Sequence, residues 1–162
     1  MSDSFVCAVC GKTHAGPNEP GFQLPDEVWA IPEPERSTRA KFSADLCQLG
    51  DRYFVRSVLI LPFTETNGDF GWGVWVEVER HVFERYLSLF QVDGSAEPPH
   101  SGTLANALPS YDATLGMPVL IQFGDRKQRP SVFFPASDQS KLALEQRHGI
   151  DAARYHEILA AI

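Results

Sequence analysis

The chain has 162 residues, which suits one domain, and at that size folding can remove roughly 70% of the unfolded chain's surface from water without disulfide help. Its 14 Lys and Arg stand against 21 Asp and Glu, a net charge of −7 that disfavours non-specific nucleic-acid and anionic-membrane binding. Three cysteines cannot all pair, and the first eleven residues hold an acid at Asp3 and no apolar run, so neither a disulfide scaffold nor a signal peptide is expected. A reducing cytoplasm is the expected setting, with no membrane span, since the apolar run Val58 to Phe63 is far too short and contains Pro62.

The first motif is Cys7-Ala8-Val9-Cys10-Gly11-Lys12-Thr13-His14. Two cysteines three apart can reach one ion from a tight turn, and Gly11 permits the positive φ such a turn needs. His14 can return as a third ligand, and Cys47 can complete a tetrahedral set of three thiolates and one imidazole. Four protein ligands would leave no open position, making the zinc structural. Without His14 an open position appears and metal-assisted hydrolysis becomes conceivable. Two other readings stand beside the metal. Cys7 and Cys10 could form a redox pair, although Gly11-Lys12-Thr13 does not resemble the helix start that activates such thiols. Cys47 could be a small buried hydrophobe, and His14 a surface residue.

From Ala15 to Pro34, Pro and Gly dominate, predicting an irregular arm pinned at Phe22, Leu24 and Trp29. Glu35 to Phe42 reads as a short helix with Pro34 in its first turn. Tyr53 to Phe63 is β-branched and aromatic on both faces, which marks a central strand. Phe70 to Val78 alternates, with Phe70, Trp72, Val74, Val76 and Val78 on one face and Gly71, Gly73, Trp75 and Glu77 on the other. Asn67-Gly68 between them predicts a hairpin turn with positive φ at both central residues. Arg80 to Phe90 changes to helical spacing, with Val82, Phe83, Tyr86, Leu87 and Phe90 as the apolar stripe.

Asp93 to Pro99 reads as a loop and Thr103 to Leu108 as an extended segment. Val119 to Phe123 and Ser131 to Phe134 predict a second hairpin across the charged loop Gly124 to Pro130. Asp138 is the expected N-cap of a helix over Ser140 to His148. Gly149 would stop it in the left-handed conformation and let Ile150 fold back on Leu144. Asp151 caps a last helix that turns Tyr155, Ile158, Leu159 and Ile162 inward. The sum is an α+β chain, a mainly antiparallel sheet with flanking short helices and an N-terminal zinc-knuckle arm. Residues 1–47 hold the arm and its return segment, and 48–162 hold the sheet and helices, within one domain 1–162.

No complete catalytic signature appears. His156-Glu157 starts like a zincin helix but Ala160 occupies the second histidine's place, and neither a Walker loop nor a G-x-S-x-G elbow occurs. Arg126, Lys127 and Arg129 are the one basic cluster, read most simply as a solvated turn. Trp72 and Trp75 fall on opposite strand faces and cannot share one aromatic cage. Trp75 is either core or the floor of a shallow groove where Gly71 and Gly73 leave space.

Several segments in one order resemble a bacterial family known only as a domain of unknown function, number 2199. They are Cys7 to Gly16 with Pro25 and Trp29, then Asp45-Leu46-Cys47, Trp72 to Val76, Phe83 to Tyr86, Leu104 to Pro109, and Leu142 to Ile150. The resemblance implies a shared fold and a shared metal site, and no activity. It also makes Asn106, Glu145 and Gln146 candidate ligand contacts, against the plainer reading as caps or buried hydrogen-bond partners. Thr103 stands where the pattern expects an aromatic, and Gln139-Ser140-Lys141 replaces a stretch expected to hold His and Pro, which argues against a C-terminal site. The resulting expectation is a non-enzymatic binding or interaction module with a structural zinc and a protein as its candidate partner. A metal-dependent hydrolase with an open zinc site and a thiol redox protein using Cys7 and Cys10 are the alternatives.

Overall fold

The computed structural model describes residues 4–6, 11, 13–15 and 20–162. Its strands are β1 (Ser4–Val6), β2 (Thr13–Ala15), β3 (Ala40–Phe42), β4 (Leu46–Leu49), β5 (Arg52–Pro62), β6 (Asp69–Val78), β7 (His100–Leu104), β8 (Pro118–Gln122) and β9 (Ser131–Phe133). Its helices are α1 (Asp26–Trp29), α2 (Glu33–Arg39), α3 (Arg80–Leu89), α4 (Lys141–His148) and α5 (Ala152–Ala160). β1 and β2 form a separate antiparallel hairpin. The other seven strands run in sequence order, and β9 returns to pair with β5. That last pairing is parallel and closes β5 to β9 into a five-strand barrel, in an otherwise antiparallel array of named strands.

β5 is the central strand its two-faced apolar sequence predicts. Along one edge it pairs with β6 over its whole described ladder, from Tyr53 opposite Val78 to Pro62 opposite Asp69. Its other edge is divided: Arg52 to Val55 pair with β4, and Val58 and Leu59 pair with β9. Val55, Leu59 and Leu61 of β5 meet Phe70, Trp72, Val74, Val76 and Val78 of β6 in the main core. α3 adds Val82, Phe83 and Tyr86, α4 adds Leu142 and Ala143, and α5 adds Tyr155 and Ile158. The opposite faces of β5 and β6 present Phe54 and Trp75 to a second cluster with Leu24, Val28, Ala40, Cys47 and Ala105. The two tryptophans thus serve different clusters, as the strand alternation requires.

The arm from residue 20 to 31 lies over this second cluster. Gly73 donates its N–H to Pro20 O and accepts from Phe22 N, both at 2.9 Å, so the arm adds a short pairing to β6. Asn106 is fully buried and ties the arm to the barrel. Its Oδ1 accepts from Trp75 N at 2.8 Å, while its Nδ2 donates to Leu24 O at 3.1 Å and Asp26 Oδ1 at 2.9 Å. Asp26 also accepts from Ala107 N at 2.8 Å, and Arg52 links Glu77 of β6 to Glu27 of α1.

Several expectations are corrected. Asn67-Gly68 is not a two-residue turn. Six residues separate the strands, neither Asn67 nor Gly68 has positive φ, and Phe63 N donates to Gly68 O. The helix expected over Glu35 to Phe42 starts at Glu33 and stops at Arg39, because Ala40 to Phe42 pair with β4. Ser140, not Asp138, caps α4, its side chain accepting from Ala143 N, while Asp138 supports it by accepting from Ser140 N. Gly149 has positive φ at 88° but an extended ψ of 173°, and Ile150 donates to Pro62 O instead of closing a left-handed cap. Trp29, Leu87 and Ile162 are exposed, so none pins the body. Trp29 instead lies under the Arg36 guanidinium.

Two substitutions test this packing. Asn106→Ala leaves the buried Trp75 N–H unpaired and frees the arm, so the free energy of unfolding in urea should fall by about 2–3 kcal/mol. An unchanged midpoint would remove Asn106 from that role. Gly102→Ala places a Cβ 2.5 Å from Val76 Cγ1 and 2.8 Å from Glu77 O, forcing β7 off β6 at a cost of about 1–3 kcal/mol.

Candidate functional site

The expected zinc knuckle falls on β1 and β2. Val6 pairs with Thr13 and Phe5 with His14, and Gly11, between the two strands in sequence, has φ of 74°. Cys7 and Cys10 lie outside the described residues, and His14 is placed by its backbone alone. Cys47 is on β4, only 1% exposed, packed against Phe54, Trp75 and Val28. Burial pushes its thiol up to about 11, which favours the neutral form unless a metal intervenes. Among the described residues no three His, Cys, Asp or Glu side chains form a metal-sized group.

The four candidate ligand contacts face inward. Trp75 is fully buried and donates Nε1–H to Phe22 O at 3.0 Å. The space that Gly73 leaves beside it is taken by the Arg56 guanidinium. Asn106 is the staple described above. Gln146 donates to Val132 O at 2.8 Å and Ile60 O at 3.4 Å, fastening α4 to β9 and β5. Glu145 accepts from Tyr111 Oη at 2.6 Å and from Arg154 Nε at 2.8 Å. Arg154 also donates to Glu157 and to Ser110 O, whose residue has a left-handed φ of 72°. This cluster ties the loop after β7 to α4 and α5. Its donors and acceptors engage one another, and burial with the adjacent Glu145 charge pushes the Tyr111 phenol well above its usual range.

A more open site lies where the divided edge of β5 changes partner. Arg56 N donates to Asp45 O and Val58 N to Pro130 O, each at 2.9 Å. The chain before β4 and the chain before β9 therefore converge on β5 at residues two apart, Arg56 and Val58. Arg129 Nε and Asp45 Oδ1 pair across this junction at 3.0 Å. Beside the pair opens a crevice of about 280 Å³. α3 supplies Tyr86 and Leu89, its C-cap supplies Phe90, β8 leads into Phe123, and the β8–β9 loop supplies Asp125 to Arg129.

The floor is aromatic, with Tyr86 5.2 Å from Phe123 and 5.6 Å from Phe90 between ring centres. Gly94 N donates to Gly124 O at 3.0 Å and Gln122 Nε2 to Glu97 O at 2.7 Å, holding the loop after α3 against this wall. Among the described residues the Tyr86 hydroxyl has no hydrogen-bond partner. Burial, reinforced by the Asp45 charge, pushes its pKa up to about 12, so it is a neutral donor at physiological pH. Asp125 Oδ1 caps its own turn by accepting from Lys127 N at 2.8 Å. Arg126 and Lys127 have no carboxylate partner among the described residues.

The lining contains no histidine, cysteine or serine among the described residues. It does have donors, cations and ring surface, the components of a binding pocket. The sequence placed Tyr86 in the buried stripe of α3 and the basic loop in solvent, on separate segments. Only the tertiary fold joins them. Leu46 to Leu49 followed by Gly50-Asp51 was a legible hairpin signal for β4, since Gly50 takes φ of 62° in that turn.

Cys47 offers a direct test. After a chelator treatment under reducing conditions at mildly alkaline pH, iodoacetamide should leave Cys47 unmodified in the folded protein and modify it after denaturation, as read by peptide mass spectrometry. Rapid modification on metal removal alone would show that its burial depends on a bound ion.

No helix among the described residues is long and apolar enough to cross a membrane. No curated protein and no solved structure matches the chain. A family model described as "Uncharacterized protein conserved in bacteria (DUF2199)" matches residues 6–150, and the chain belongs to that family.

Proposed function

We propose that this chain is a non-enzymatic binding module, with a zinc-stapled N-terminal hairpin and the crevice at the β4–β9 junction as its binding face. The observation that carries the binding reading is the unpartnered Tyr86 hydroxyl at an aromatic floor, beside a basic rim. The register of β1 and β2 supports the zinc reading, because paired strands flank the cysteine motif in sequence and Gly11 has positive φ. The proposed ligands are Cys7, Cys10 and His14, with Cys47 as the fourth. Zinc would supply cross-linking of the hairpin to β4, in place of the apolar packing that otherwise accounts for Cys47.

The experiment is zinc content per chain, with melting temperature, for wild type, Cys10→Ser, His14→Ala and Cys47→Ser purified under reducing conditions. One zinc per wild-type chain, lost with stability in all three variants, is expected for a closed structural site. Zinc retained by His14→Ala would leave an open position and favour the hydrolase alternative. A metal-free wild type with a reversible Cys7–Cys10 disulfide would replace the zinc reading with the redox one. Retention by Cys47→Ser alone would restrict Cys47 to packing.

A further inference from the structure

We infer that the crevice takes a small planar ring bearing an oxyanion, a carboxylate or phosphate, with the ring on the aromatic floor and the acid at the basic rim. This deepens the binding-module reading and rests on it. The charge argument is local. The whole chain carries −7, yet Arg126, Lys127 and Arg129 gather on one loop against Asp45 and Asp125. Both acids have internal work: Asp45 pairs with Arg129, and Asp125 holds its own turn. Arg56 lies outside the lining: its guanidinium fills the space beside Gly73 and donates to Phe22 O. Its half-buried guanidinium is destabilised by burial and then by the nearby Arg129 charge, with only Asp45 opposing. Its Nε is buried without a hydrogen-bond partner. The cations at the rim left without a carboxylate partner among the described residues are Arg126 and Lys127, and an incoming anion meets them there.

The shape argument selects the rest of the ligand. About 280 Å³ lies at the lower end of small-molecule pockets, enough for one ring with its acid and too little for a dinucleotide. Tyr86 presents a neutral hydroxyl that can donate to the acid, while half-buried Phe90 offers ring surface for stacking and buried Phe123 backs the floor. Charge-assisted hydrogen bonds from Arg126 and Lys127 would hold the oxyanion, at the mouth and not at the floor. The long-range field of the chain repels anions, so recognition depends on contact at this rim and weakens with salt.

The test titrates benzoate, phenyl phosphate, inorganic phosphate and phenol into the full-length protein, followed by amide NMR and calorimetry. Benzoate and phenyl phosphate should shift amides of residues 86–90 and 123–129, and the tighter of the two names the preferred acid. Arg126→Ala combined with Lys127→Ala, both exposed and outside the core, should weaken that binding about tenfold. Tyr86→Phe, which keeps the ring packing, should weaken it about fivefold. Phenol binding as tightly as benzoate, or the double variant binding like wild type, would overturn the anion inference and leave the binding-module reading standing. Shifts from phosphate alone at equal affinity would remove the ring from the proposal. No response from any of the four probes would overturn this inference and withdraw the crevice as the binding face.

Discussion

β5 has one edge for two partners. Its eleven residues exceed what either β4 or β9 can cover, so β4 takes the first part and β9 the second. Backbone N–H and C=O groups cannot be left unpaired in a buried strand, and this division satisfies them from both sides. Barrel closure follows from it, because β9 reaches β5 only where β4 has ended. The crevice opens beside the Asp45–Arg129 pair at this junction, and α3 lines one side of it. The crevice is thus a consequence of how the sheet closes.

The second constraint is a single carboxamide. Asn106 uses both amide hydrogens and its carbonyl oxygen, linking β6, the arm and α1 in a site from which water is excluded. A residue of this type inside an apolar cluster is tolerable only because those groups are satisfied. Leu24 and Val28 supply area, and Asn106 supplies direction. The same division of labour recurs at Gln146 and Glu145, which fasten α4 to β5, β9 and the loop after β7. Residues that drew attention as family-like polar positions are in each case occupied by backbone or by one another.

The crevice differs in that its polar groups are not all consumed. Tyr86 lacks a partner, and Arg126 and Lys127 lack a counter-ion, among the described residues. Arg126 and Lys127 are exposed to water, which leaves them available to an incoming anion. On the proposed reading a zinc-bearing hairpin would organise the N-terminus, while the barrel would carry recognition.

By itself the sequence determined the periodic elements. Alternation set the faces of β6 and assigned Trp72 and Trp75 to different clusters, and the stripe of Val82, Phe83 and Tyr86 set the buried side of α3. Asp151 was legible as a cap because its side chain serves an amide three residues away. These are local interactions, written within a few residues. Where non-local pairing competed, the tertiary structure decided. It drew Ala40 to Phe42 out of a helix into a strand, opened Asn67-Gly68 into a wider loop, and turned Ile150 onto Pro62. It also brought Asp45 to Arg129 across 84 residues of chain. No spacing rule encodes that encounter, because it depends on where β4 stops and β9 begins along one shared edge.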